Sequence, residues 1–143
     1  MSAESEVRAA SEKFYSALNH MLKGDAGPMA SAWSHGAAVT TMHPLGGRET
    51  GWDKVAPTWS EVAKLSSGGQ VKLNDAHIHA AGDMAYEVGT EKGHGTMGGR
   101  KIDIDHRVTN VYRREAGTWK IVHHHTDLSP AMIDLVSGSQ AKK

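Results

Sequence analysis

Apolar side chains at Val7, Ala10, Phe14, Ala17, Leu18 and Met21 recur every three or four positions, which places them on one helix face. Ser2 caps the start, Glu4 and Glu6 suit the positive end of the dipole, and Lys23-Gly24 reads as a stop. The spacing predicts a helix over residues 4–23. A short second helix follows, with Asp25 as cap, Pro28 in its first turn and Trp33 buried at its end. Residues 38–42 are β-prone, and His43-Pro44-Leu45-Gly46-Gly47 breaks that strand. Thr50-x-x-Asp53 opens a third helix in the manner of a capping box, with Val55, Trp59 and Val62 on one side. Pro57 removes a hydrogen bond there, so either the first turn is irregular or the helix begins beyond Gly51. Ser66-Ser67-Gly68-Gly69 ends it.

From Val71 the period changes to two. Residues 71–81 and 84–92 read as strands joined at Gly82-Asp83, and the glycine-rich stretch 93–99 reads as a flexible loop. A long strand over 102–113 turns at Arg114-Glu115-Ala116-Gly117 into a last strand over 118–126. Residues 128–136 form a terminal turn of helix, and 137–143 a solvated, flexible tail. Helices first and a strand meander afterwards define an α+β fold: one domain over 1–136, with a curved antiparallel sheet wrapped around the N-terminal helices. A long helix across the concave side of such a sheet leaves a conical central pocket.

Composition narrows the function. At 143 residues the chain builds one core, and its zero net charge disfavours a nucleic-acid surface. Its longest apolar runs are too short to span a bilayer, and its first residues lack the basic and apolar regions of a signal peptide. With no cysteine, a cytoplasmic setting fits. The ten histidines are the anomaly. His123-His124-His125 resembles a metal site, but strand alternation sends His124 to the face opposite His123 and His125. His77 and His79 complete a four-histidine site only if the two strands are neighbours, and no carboxylate has convincing ligand spacing. No metal and no cofactor is expected. No phosphate loop or nucleophile elbow is present either.

His43 stands apart, because it ends a strand beside Pro44 and Gly46 where a cleft can open, and imidazole serves as a base near neutrality. At a strand end it should bury little apolar area, so its loss should cost about 1 kcal/mol at most. Tyr15, at the edge of the first helix's buried stripe, can aim its hydroxyl into the pocket. Alternation turns Tyr86 and Val88 toward the helices and Glu87 away, and Asp103 to Arg107 reads as a solvated or interface charge ladder.

Phe14-Tyr15-Ser16-Ala17-Leu18-Asn19, Met42-His43-Pro44-Leu45-Gly46, Gly51-Trp52-Asp53-Lys54-Val55 and the stretch from Val111 to His125 together resemble the nuclear transport factor 2-like superfamily. The resemblance covers about residues 4–127 and is nearest the SnoaL-like and ketosteroid-isomerase-like branch. It implies a cystatin-like cone. Ketosteroid isomerases carry their base as Asp in an Asp-Pro-x-Gly stretch, where this chain has His43, and their oxyanion-hole aspartate falls near Thr109. Residues 73–82 and 111–125 also resemble the calcium/calmodulin-dependent kinase association domain, whose pocket arginines are replaced by Val88, Asn110 and Thr126. The resemblance thus implies a cone lined by Tyr86, Val88, Asn110, Val122 and His124, with Trp59 beside them. Its ligand is expected to be a small apolar or aromatic molecule. As an enzyme the chain would be a cofactor-independent isomerase, cyclase or dehydratase, with His43 as base, Tyr15 or Tyr86 as orienting hydroxyl and His124 as second acid or donor. The alternative is a non-catalytic sensing or oligomerisation module. A homodimer through the outer sheet face, with Glu87, Arg107 and His125 near the interface, completes the expectation.

Overall fold

A computed structural model describes residues 2–141. Helix α1 (Ala3–Met21) starts where Ser2 accepts a hydrogen bond from the Ser5 amide at 3.1 Å. The short α2 (Met29–Ala32) leads into β1 (Thr40–His43), which turns at Pro44-Leu45 into β2 (Gly46–Thr50). Helix α3 (Trp52–Leu65) begins immediately after Gly51, which adopts φ 90°, and runs through Pro57 without a break. The expected cap at Thr50 is not used: Gly51 occupies the cap position and no side chain bonds to the helix start. Strands β3 (Ser66–Ala81), β4 (Met84–Met97), β5 (Arg100–Glu115) and β6 (Thr118–Thr126) follow as a meander. Helix α4 (Pro130–Ala141) closes the chain. The tail expected over 137–143 is therefore helical as far as Ala141, and residues 142 and 143 lie outside the described residues.

The six strands form one sheet in the order β2-β1-β6-β5-β4-β3, antiparallel throughout except where β1 runs parallel to β6. The sheet is curved and does not close. Register shifts on β3 between Ser67 and Gln70 and between Asn74 and His77 bend it around α1. The glycine-rich stretch 93–99 is strand rather than loop up to Met97. Gly93 is there for proximity: a Cβ on it would run into the Gln70 carbonyl oxygen and lie 2.7 Å from Val71 Cα. A loop reading mistook close packing for flexibility.

Phe14, fully buried on α1, touches the aromatic rings that α2 and α3 deliver, with centroids 6.4 Å from both Trp33 and Trp59. Tyr15 is buried beside it, so both residues face inward. Tyr112 and Ile121 from the sheet complete the centre of this core. Burial of a Phe of this kind stabilises by about 3 kcal/mol or more, since truncation also leaves a cavity.

Gly93→Ala should therefore cost about 3 kcal/mol or more, because the clash is with backbone that cannot rotate away. Gly99→Ala is the control. Gly99 has φ 81° and nothing within 4 Å of a built Cβ, so only the left-handed backbone is penalised, by about 1 kcal/mol. Urea denaturation of both variants measures the difference, and equal losses would contradict this account of the bend.

Candidate active site

The concave side of the sheet and the helices enclose a cavity of ≈ 80 Å³. Its walls are apolar, including Leu18, Val71, Ile104 and Met132, and Leu45 and Leu65 stand at an exposed rim. Four ionisable side chains break this wall: His43, Glu91, His106 and His124. All four are buried, and Trp59 lies against two of them, with ring centroids 5.3 Å from His43 and 5.9 Å from His124.

Each histidine is held at one ring nitrogen by an acceptor. At the end of β1, His43 Nε2 lies 2.7 Å from Glu49 Oε1, and Thr58 of α3 donates its hydroxyl to Glu49 Oε2. The β1–β2 turn makes this pairing possible, because it folds Glu49 back beside the strand that carries His43. On β5, His106 Nε2 lies 2.7 Å from Glu91 Oε1, and the two residues are direct cross-strand partners. Glu91 Oε2 accepts the Tyr15 hydroxyl at 2.8 Å. On β6, His124 Nδ1 lies 2.6 Å from Asn110 Oδ1. The Asn110 amide nitrogen in turn donates to Tyr15 Oη at 3.0 Å and to Glu87 Oε1 at 3.1 Å, and Tyr112 donates to the same Glu87 oxygen at 2.8 Å.

This chain of bonds fixes a tautomer. Asn110 must turn its NH₂ toward the Glu87 carboxylate, so its oxygen faces His124 and Nδ1 carries the proton. His124 Nε2 is then a lone pair, 4.0 Å from Glu91 Oε2. Burial, only partly offset by the Glu91 charge, pushes the His124 imidazole down from 6.5 to about 4. Burial acts on Glu91 in the opposite sense, toward protonation, but the His106 hydrogen bond, the nearby His124 and His106 and the Tyr15 hydroxyl outweigh it. The Glu91 carboxyl is held below its ordinary value. Burial and then the Glu91 charge raise the Tyr15 phenol, while burial and then Glu87 raise Tyr112, so both hydroxyls remain donors.

Several expected positions move. Tyr86 and Val88 do not face the cone: Tyr86 is 43% exposed on the outer face, and Val88 borders an outer groove with Thr109 and His125. The alternation was read with apolar residues inward, whereas β4 buries Glu87 and Glu91 and turns Tyr86 out beside His77 and His79. Glu87 accordingly leaves the outer face, where an interface role was expected; Arg107 and His125 remain there, exposed. Val122 does not line the cavity either. A bulge opposite Val111 and Tyr112 makes it the extra residue of β6, so Ile121 and His124 both point inward. Asn110 and Trp59 are inward as expected, and Tyr15 reaches the cavity only through Glu91. His124 is an acceptor at Nε2, which does not fit the acid or donor role expected of it. His43 is buried, so the small stability cost expected of a surface-like position does not apply.

Glu49, Glu91 and His106 were missed. His106 had a signal, because Ile102, Ile104, His106 and Val108 alternate along one face of β5. Among the described residues no three His, Asp or Glu side chains converge to hold a metal ion. His77 and His79 on β3 are separated from His123 and His125 on β6 by two strands. No helix among the described residues is long and apolar enough to cross a membrane.

A curved, unclosed sheet wrapped around N-terminal helices is the NTF2-like, cystatin-like fold of solved structures similar to this chain. The chain belongs to the SnoaL-like domain family, whose model matches residues 7–132. No curated protein matches it. Among solved structures it is similar to a candidate dehydratase of the NTF2-like family from Streptomyces avermitilis, with 26% identity, TM-score 0.77, and 88% of this chain and 95% of that chain covered. It is also similar to a candidate calcium/calmodulin-dependent protein kinase type II association domain from Thiobacillus denitrificans, with 27% identity, TM-score 0.70, and 85% and 94% covered. A candidate ketosteroid isomerase from Shewanella frigidimarina shares the fold at 21% identity and TM-score 0.66, with 83% and 92% covered.

A buried neutral histidine makes the fold acid-sensitive. Between the ordinary 6.5 and about 4 the unfolded chain binds a proton that native His124 does not, so stability falls as pH drops through that window. The full effect is about 3 kcal/mol. Glu91 adds a loss of the same sign at lower pH, as the carboxylate protonates below its ordinary 4.5. Urea midpoints taken between pH 7 and pH 4.5 should fall steeply for the native protein and more shallowly for His124→Gln. Parallel curves would mean that His124 is not held neutral.

Proposed function

We propose that this chain is a cofactor-independent enzyme of the dehydratase or isomerase type, acting by proton transfer on a small apolar or aromatic molecule. One observation carries the reading: His43, Glu91, His106 and His124 interrupt the apolar wall of the cavity. An assembly module has no need of such a cluster, since burying charges is costly unless they are used or replaced by packing.

The roles follow from which ring nitrogens are engaged. His43 is the base: Glu49 and Thr58 hold its Nε2 side, and Nδ1 has no partner among the described residues. A carboxylate behind an imidazole orients it and stabilises the imidazolium formed when it accepts a proton. His106 donates its Nε2–H to Glu91 and is a positioning residue for that carboxylate. In a dehydration, His43 takes the proton from the carbon next to an activating carbonyl, the carbon–oxygen bond on the neighbouring carbon breaks, and the His43 imidazolium returns that proton to the leaving hydroxyl, which departs as water. In an isomerisation the proton returns at a different carbon instead. Tyr15 is a positioning residue, acting through Glu91. The likeness to the Streptomyces protein supports the dehydratase form. The same proposal includes a homodimer through the outer sheet face, where Tyr86, Val88, Val111 and Thr109 form neighbouring cross-strand pairs. Light scattering that gives a monomer at micromolar concentration would remove that part.

The test is elimination and deuterium uptake from D₂O, read by NMR, across a panel of small cyclic β-hydroxy ketones. His43→Gln should lose roughly two to four orders of magnitude in rate while remaining folded. Glu49→Gln should lose less, because it disturbs orientation and leaves the imidazole in place. A wild-type protein inert across the panel would favour a non-catalytic binding module, the reading that the likeness to the kinase association domain supports.

A further inference from the structure

The polar end of the cavity is rich in acceptors and has no fixed cation. Among the described residues no lysine or arginine lines it, and its one permanent charge is the Glu91 carboxylate. Two acceptor atoms face each other there, 4.0 Å apart: Glu91 Oε2, which already takes the Tyr15 hydroxyl, and His124 Nε2, which has no donor among the described residues. The His124 lone pair is not adjustable. Rotating Asn110 to free Nδ1 would set the amide oxygen against Glu87 Oε1, which already receives the amide nitrogen at 3.1 Å and the Tyr112 hydroxyl at 2.8 Å. An unpaired acceptor in apolar surroundings selects a ligand that donates, because leaving it bare costs a desolvation that nothing returns.

We infer that the cavity takes an uncharged molecule of one ring that donates a hydroxyl hydrogen to His124 Nε2, and that it rejects a carboxylate of the same size. This rests on reading the cavity as the ligand site, and it adds the class of ligand. A carboxylate would lose its hydration beside Glu91, where like charges in a low-dielectric site repel strongly and no cation compensates. Size sets the other limit. At ≈ 80 Å³ the cavity is well short of the roughly 150 Å³ that accommodates a benzene ring in an engineered protein core. A single ring is the upper bound, and part of it would extend to the open rim at Leu45 and Leu65. A fused polycyclic skeleton does not fit. This sets the chain apart from a site that stabilises an oxyanion with donors, since the group presented at His124 accepts.

The probes are phenol, toluene and benzoate, titrated into the full chain at pH 7 by calorimetry. Phenol should bind at least tenfold tighter than toluene, which matches its shape and lacks the donor, and benzoate at least a hundredfold weaker than phenol. His124→Leu should abolish the advantage of phenol over toluene while toluene still binds. Should that variant not fold, ¹⁵N NMR of the wild-type histidines supplies the second reading: His124 Nε2 should be unprotonated and should shift on phenol binding. Benzoate within tenfold of phenol, toluene equal to phenol, no binding of any probe, or a protonated Nε2 would each overturn the inference. Failure of the catalytic reading looks different. The expected binding order without deuterium uptake on any substrate leaves this inference standing and removes the proton-transfer proposal, whereas turnover without phenol preference does the reverse.

Discussion

The constraint on which the rest depends is the carboxylate of Glu91, 3% exposed in the middle of a sheet. Removing such a charge from water costs several kcal/mol, and only an exact set of partners offsets it. Two elements supply them. Strand β5 brings His106 directly opposite, and α1 brings the Tyr15 hydroxyl from across the cone. A slip of one residue between β4 and β5 would turn the carboxylate outward and His106 with it, so the pairing that satisfies the charge also locks the register of the two longest strands. Helix α1 cannot slide or rotate along the sheet either, because Tyr15 would leave Glu91 and Asn110 together.

Much of the frame was legible from local pattern, because local pattern is what sets it. The apolar stripe from Val7 to Met21, the cap at Ser2 and the turns at Gly82-Asp83 and Ala116-Gly117 each follow from short-range preferences that the fold respects. The cavity lining was less legible, for one physical reason. Alternation assigns faces only if apolar side chains go inward, and β4 inverts that rule by burying Glu87 and Glu91 against donors carried on β5 and α1. Those donors lie far away in sequence: Tyr15 reaches Glu91 across 76 positions. The bulge at Val122 is invisible for a related reason. An extra residue in one strand shows only against its partner, and nothing in Lys120 to His125 marks where the parity changes.

His43 was legible because its setting is local, a strand broken by Pro44 and Gly46. Its partner Glu49 is six residues on, yet it comes back beside His43 only through the hairpin those breakers create. The strand histidines, whose excess invites a metal site, divide instead between two faces of one sheet. His43, His106 and His124 are inside, each tied to an oxygen acceptor, while His77, His79 and His125 stand outside. One residue type in one sheet thus serves two different environments, and burial with a fixed partner is what separates a tuned imidazole from a solvated one.

The second buried carboxylate explains why the first arrangement is stable in only one form. Glu87 lies behind the cavity, and its work is done on Asn110: by accepting the amide nitrogen it turns the amide oxygen toward His124. Without that bias Asn110 could present either end, and His124 could carry its proton on either nitrogen. With it, the proton sits on Nδ1 and the lone pair faces the ligand space. Tyr112 fills the remaining demand of the same Glu87 oxygen, which ties this orientation to the hydrophobic core that buries Tyr112 completely. The polarity of one cavity atom is therefore set three residues deep, by Tyr112 on Glu87, Glu87 on Asn110 and Asn110 on His124. Such buried networks are costly when one member is unsatisfied and rigid when all are. Here the rigidity has a direction: His124 donates to Asn110 and Asn110 donates to Glu87, so the donors point inward to the buried carboxylate and an acceptor is left at the cavity wall.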